Sequence, residues 1–142
     1  MNSETNNTGW ENIHEAAYFN NFELLEEELN SGVDPNLIIN NFKSYGPSKD
    51  FYSKKIIVYW DKLTALYIAC QKGHIKCVNL LMQRGANPNI EAYNQYYKMH
   101  VSPLNIAITS FHFKCVRLLK KTYNKNNLLN ISFNDNLSLH YS

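Results

Sequence analysis

The sequence predicts an all-α solenoid of about three stacked helix pairs whose first connecting loop is strongly extended. Three observations carry that expectation. The chain repeats itself, its apolar residues recur at helical spacing, and each unit is too short to bury its own apolar face. A length of 142 residues is one domain's worth. With 44% apolar and 18% charged residues, the chain can build a core, which speaks against wholesale disorder.

The best-formed unit runs from Thr64 to Asn89. Aligning Ala107 with Ala69 gives a second copy, in which Ser102-Pro103-Leu104-Asn105-Ile106-Ala107 opens the unit and Phe113 to Leu119 matches Ile75 to Leu81. Aligning Ala16 with Ala69 gives a third, with Ile13-His14-Glu15-Ala16-Ala17, then Phe22-Glu23-Leu24-Leu25, then Gly32-Val33-Asp34-Pro35-Asn36.

Each element has a local cause. In the first unit Glu27 and Glu28 stand where the middle unit has Leu80 and Leu81, the polar outer face that a terminal repeat needs. In the middle unit Thr64 is placed to N-cap a helix whose Leu66, Ala69 and Cys70 share one face. Gly73 ends that helix because it can take positive φ. Ile75, Val78, Leu81 and Met82 make a second amphipathic helix, which Gly85 stops. In the third unit Phe111 replaces Gly73, so that turn either differs or carries strain, whereas Asn20 tolerates positive φ in the first. Helix pairs are expected near residues 12–30, 65–83 and 103–121.

These units resemble the ankyrin repeat, a unit of about 33 residues opened by Thr-Pro-Leu-His-x-Ala. Gly32-Val33-Asp34-Pro35-Asn36 and Gly85-Ala86-Asn87-Pro88-Asn89 match its helix-exit loop. The resemblance implies helix-turn-helix repeats over about residues 10–36, 61–89 and 100–124, joined by β-hairpin-like loops. Trp10 to Ala17 and Cys70 to Val78 are, more narrowly, similar to the ankyrin–SOCS-box family. Members of that family recruit substrates to cullin-type ubiquitin ligases through a C-terminal box.

Ala16 to Ala69 is 53 residues and Ala69 to Ala107 is 38; against a ~33-residue unit the excesses are about 20 and about 5. The longer insert, residues 37–60, sets two β-favouring runs around Tyr45-Gly46-Pro47-Ser48. It reads as an extended hairpin finger or as a flexible surface loop. Within it, residues 40–58 are expected to make binding contacts without supporting the stack. Residues 1–9 are expected to be disordered. Residues 125–142 are expected to form either the start of a fourth repeat or a C-terminal cap over Val116, Leu118 and Leu119.

Other classes are disfavoured. The N-terminus carries no basic or apolar block of a secretory or mitochondrial signal, and no apolar run approaches a membrane span. Three cysteines without close spacing give no disulfide framework, which points to a cytoplasmic or nuclear setting. His74 with Cys77, and His112 with Cys115, repeat a His–Cys pair one turn apart. Equivalent positions on stacked helices lie roughly 8–10 Å apart, awkward for one zinc, so no metal or other cofactor is expected. All three cysteines fall on the core stripe, and no phosphate loop or acid–base pair appears, so no catalytic residue is assigned.

What remains is a recognition surface for a protein partner. By the resemblance, contacts fall on exposed residues of the first helices (Tyr18 and Phe19, Gln71 and Lys72, Thr109 and Ser110) and on the loop tips (Tyr59, Trp60 and Asp61, then Lys98 and Met99). The inserts also hold nine of the nineteen aromatics, among them Phe42, Tyr45, Phe51, Tyr52, Tyr93, Tyr96 and Tyr97. Aromatic anchors beside lysines suit a binding hot spot, although the same rings could simply pack the finger on its own stack. Two alternatives stand beside the protein-interaction module: the substrate-recognition part of a ubiquitin-ligase adaptor, which requires a SOCS box, and nucleic-acid binding through the basic aromatic fingers. Residues 37–142 hold fourteen basic residues against four acids. Residues 1–36, with eight acids and no Lys or Arg, disfavour a nucleic-acid partner.

Overall fold

The computed structural model describes residues 9–46 and 55–126, with side chains described as far as Thr122. Three helix pairs follow one another: α1 (Asn12–Tyr18) and α2 (Phe22–Asn30), α3 (Ala65–Lys72) and α4 (Ile75–Gln83), α5 (Pro103–Thr109) and α6 (Phe113–Asn126). They lie where the apolar period places them, except that α6 continues past residue 121. The expectations for residues 1–8 and for the tail from residue 127 lie outside the described residues.

The caps are local. Thr64 Oγ1 accepts the Tyr67 N–H at 3.1 Å, Ser102 Oγ accepts that of Asn105 at 3.0 Å, and Asn21 Oδ1 accepts that of Leu24 at 3.1 Å. At α1 the cap is reciprocal, because the Glu11 side chain takes the His14 N–H while His14 Nδ1 takes the Glu11 N–H. The three turns within the pairs share positive φ: Asn20 at 58°, Gly73 at 75° and Phe111 at 62°. Phe111 therefore carries strain, and 74% of its surface is exposed, so little packing compensates. Phe111→Gly is expected to stabilise the protein by about 1 kcal/mol; an unchanged or lower urea midpoint would show that its ring contact with Phe113 outweighs the backbone.

Helices α1, α3 and α5 pack side by side as an inner layer, with α2, α4 and α6 behind them. The inner layer closes tightly because Ala16, Ala69 and Ala107 are fully buried at its contacts. Histidines bind successive pairs together. His74 Nδ1 donates to the Ala17 carbonyl at 2.9 Å, and His112 Nε2 donates to that of Gln71 at 3.0 Å. Cys77 is buried with its thiol 3.6 Å from Asn20 Oδ1, and burial raises the pKa of Cys70, Cys77 and Cys115.

The expectation of an all-α fold is corrected. Strands β1 (Phe42–Gly46), β2 (Ile56–Asp61), β3 (Ala92–Asn94) and β4 (Met99–Val101) form one antiparallel sheet in the order β1-β2-β3-β4. Both ends of the long insert thus pair as a hairpin, from Phe42 opposite Trp60 to Gly46 opposite Ile56. The hairpins of neighbouring repeats join through Trp60 opposite Asn94 and Asp61 opposite Tyr93. The reason is dimensional. Two strands at about 4.8 Å occupy the ~10 Å that separates stacked helices, so stacking the pairs brings one hairpin's edge to the next.

The base of the finger also supports the stack, contrary to expectation. Val58 is buried, and Phe42 and Trp60 pack against the helical core.

Candidate recognition cleft

The sheet and the inner helices together enclose a concave surface. On its first-repeat side, Trp10 stacks on Phe42 with ring centroids 5.5 Å apart and meets Tyr18 edge-on at 5.9 Å. Lys72, at the end of α3, sets its ammonium 4.4 Å from the centre of the Tyr18 ring. Trp60 is held from behind by Tyr67 at 5.8 Å and donates its indole N–H to Ser44 Oγ at 3.2 Å. The result is a cleft of about 490 Å³ between the finger and the helices, walled by Tyr18, Phe42, Tyr45, Trp60 and Tyr97. Gln71 and the lysines Lys43 and Lys72 also line it.

Across the ridge formed by Trp60 and Tyr67 lies a second hollow of about 350 Å³, bordered by Met99, Ile108 and Thr109. The remaining candidates stand apart. Phe19 is 66% exposed and leans edge-on against Tyr18. Tyr59 is exposed and alternates with the cleft-lining Val58 and Trp60 along β2. Tyr93 packs on His100, Tyr96 packs on Tyr97, Lys98 takes positive φ in the second hairpin's turn, and Ser110 caps α5. Phe51 and Tyr52 lie outside the described residues.

Asp61 has an internal role. Its Oδ1 accepts the Asn41 N–H and its Oδ2 accepts Gln95 Nε2, both at 2.9 Å, which ties the two hairpins together. Ser44, Val58 and Asn94 line the cleft, Trp10 and Tyr67 line a smaller hollow beside it, and the candidate set lacks all five. The available signal was positional, since Tyr67 stands where the first repeat has His14 and where the ankyrin opening has its histidine.

That exchange leaves a chemical mark. His14 is fully buried, with Nε2 donating to the Leu37 carbonyl at 2.9 Å and Nδ1 already accepting from Glu11. The Tyr67 hydroxyl, equally buried, has no hydrogen-bond partner among the described residues. Tyr67→Phe should therefore raise stability by about 1 kcal/mol, since it removes a buried polar atom without removing a bond. A fall in the denaturation midpoint would reveal an unrecognised partner for that hydroxyl.

His14 makes stability depend on pH. Burial holds its pKa below the ordinary value of 6.5, partly offset by the bond to Leu37. Below pH 6.5 the unfolded chain takes up a proton that the folded chain refuses. The contribution is therefore complete above that value and is lost as pH falls toward the folded pKa, by up to about 1.4 kcal/mol per pH unit. Melting temperatures at pH 7.5 and 5.5 should diverge more for the natural chain than for His14→Asn.

Stacked helix pairs, paired hairpins and a concave cleft define a tandem-repeat protein of the kind that, in general, serves protein–protein interaction. Residues 1–130 match the ankyrin repeats, in three copies, and the chain belongs to the ankyrin-repeat family. It is 33% identical over 84 residues to ankyrin repeat and SOCS box protein 3 of Homo sapiens, and 30% identical over 91 residues to ankyrin repeat and SOCS box protein 2 of Bos taurus. Those alignments take in 58% and 62% of this chain but only 13% and 11% of the relatives. Among the described residues no helix is long and apolar enough to cross a membrane.

Proposed function

We propose that the chain is a non-catalytic protein-binding module that takes its partner in the cleft between the finger and the inner helices. The observation that supports this most directly is the convergence of Tyr18, Phe42, Trp60 and Tyr97 with Lys72 on one concave surface. Rings held by neighbours lose little conformational freedom on binding, and a cation beside them adds selectivity. Met99 and Thr109 extend the surface across the Trp60 ridge.

A photo-crosslinking residue in place of the cleft-lining Gln71 should capture a protein partner, and one at Asn79 on the outer helix should not. Tyr18→Ala with Lys72→Glu should abolish capture while circular dichroism still shows the native helix content. Equal capture from both positions would place recognition elsewhere.

A second reading is favoured by the similarity to SOCS-box proteins: the module is the substrate-recognition part of a cullin-type ubiquitin-ligase adaptor. That role requires a SOCS box, whereas the family model matches ankyrin repeats alone. Co-purification of a cullin with the full-length gene product tests it.

A further inference from the structure

We infer that the cleft binds an acidic segment of a partner in extended form, added as a fifth strand along the free edge of β1. This rests on the cleft being the binding surface and goes further, to the conformation and charge of what it holds. Strand β1 lies at the end of the sheet, paired with β2 on one side and with no other strand among the described residues. The cleft lies over one sheet face, on which Phe42, Ser44, Val58, Trp60 and Asn94 are cross-strand neighbours, and it reaches round the free edge of β1, because Lys43 and Tyr45, which alternate with those residues, line it as well. A strand's two pleat faces border a common space only along its edge, where the backbone N–H and C=O groups point outward. An extended peptide satisfies such groups and lays alternate side chains against the flanking rings.

Charge selects the occupant. Lys43 and Lys72 line the cleft, and among the described residues no carboxylate does. A basic peptide would meet like charge on both walls, whereas glutamate or aspartate side chains meet an ammonium on each.

Trp60 lines the cleft and Trp10, the chain's other tryptophan, stacks on the cleft residue Phe42, so intrinsic fluorescence reports occupancy. The probe is a blocked octapeptide alternating glutamate and valine. It should shift the emission saturably, and a version with lysine for glutamate should bind at least tenfold more weakly. N-methylation of one alternate set of amides should abolish binding while methylation of the other set spares it, because an edge strand pairs with every second residue. Lys43→Glu with Lys72→Glu should reverse the preference between the two peptides.

Equal binding of both charge forms, tolerance of both methylated sets, or no binding at all overturns the inference. Crosslinking from position 71 separates this result from the broader reading. A partner captured there without peptide binding refutes only the acidic strand, whereas capture from outside the cleft refutes both.

Discussion

Gly73→Ala is expected to destabilise the protein by about 2–3 kcal/mol. Gly73 has a φ of 75°, a conformation that costs an L-residue roughly 1–2 kcal/mol. A Cβ at that position would also run into the His112 imidazole, whose Cε1 lies 2.6 Å away. His112 must then withdraw from the Gln71 carbonyl, for about 1 kcal/mol more. A double-mutant cycle separates the two costs. In a His112→Ala background the glycine substitution should cost only its backbone share. If the single and double backgrounds give the same loss, the imidazole is no obstacle.

Trp60→Ala should cost about 2–3 kcal/mol and should also reduce any partner capture through the cleft. Full burial of a tryptophan would make the change worth 3–5 kcal/mol, and Trp60 is half-buried. Its ring sits at the junction of three contacts: opposite Phe42 in β1, opposite Asn94 in β3, and against Tyr67. Trp60→Phe keeps most of the ring contacts and loses the bond to Ser44, so it should cost about 1 kcal/mol. Urea unfolding followed by circular dichroism measures both. An alanine variant as stable as the natural chain would mean that the sheet does not depend on this ring.

The helices were legible because their causes are local. Thr64 and Ser102 cap helices beside their own first turns, Gly73 ends one, and the apolar period marks the buried face. Strain at Phe111 was legible for the same reason, by comparison with the glycine at the equivalent turn. The continuous sheet was not. β3 and β4 have three residues each, and Ala92-Tyr93-Asn94 has no strand pattern of its own. These strands exist because stacking sets them beside the finger, which is a non-local cause.

The candidate surface divides along the same line. Aromatic density drew attention to Phe42, Tyr45 and Trp60, but nothing local distinguishes a ring that opens on the cleft from Tyr93, which packs on His100. Asp61 counted as a contact residue because the resemblance puts it at a loop tip; its two partners, Asn41 and Gln95, are 20 and 34 residues away. Trp10 lay outside the inserts, and only folding brings it onto Phe42.

The exit loops follow a rule of their own. Asp34 Oδ1 turns the first loop by accepting the Asn36 N–H, and Asn87 Oδ1 does the same for Asn89 in the second. Asn36 then reaches across, taking the Asn87 N–H at 2.6 Å and giving its amide to the Gly85 carbonyl at 3.2 Å. The chain between these two loops includes the entire finger, yet the loops touch directly. Distance along the polypeptide is thereby uncoupled from the pitch of the stack. Insertions between the paired strands β1 and β2 can lengthen, shorten or change sequence without shifting one repeat against the next. This gives the molecule a place to vary its grip while its spine stays constant.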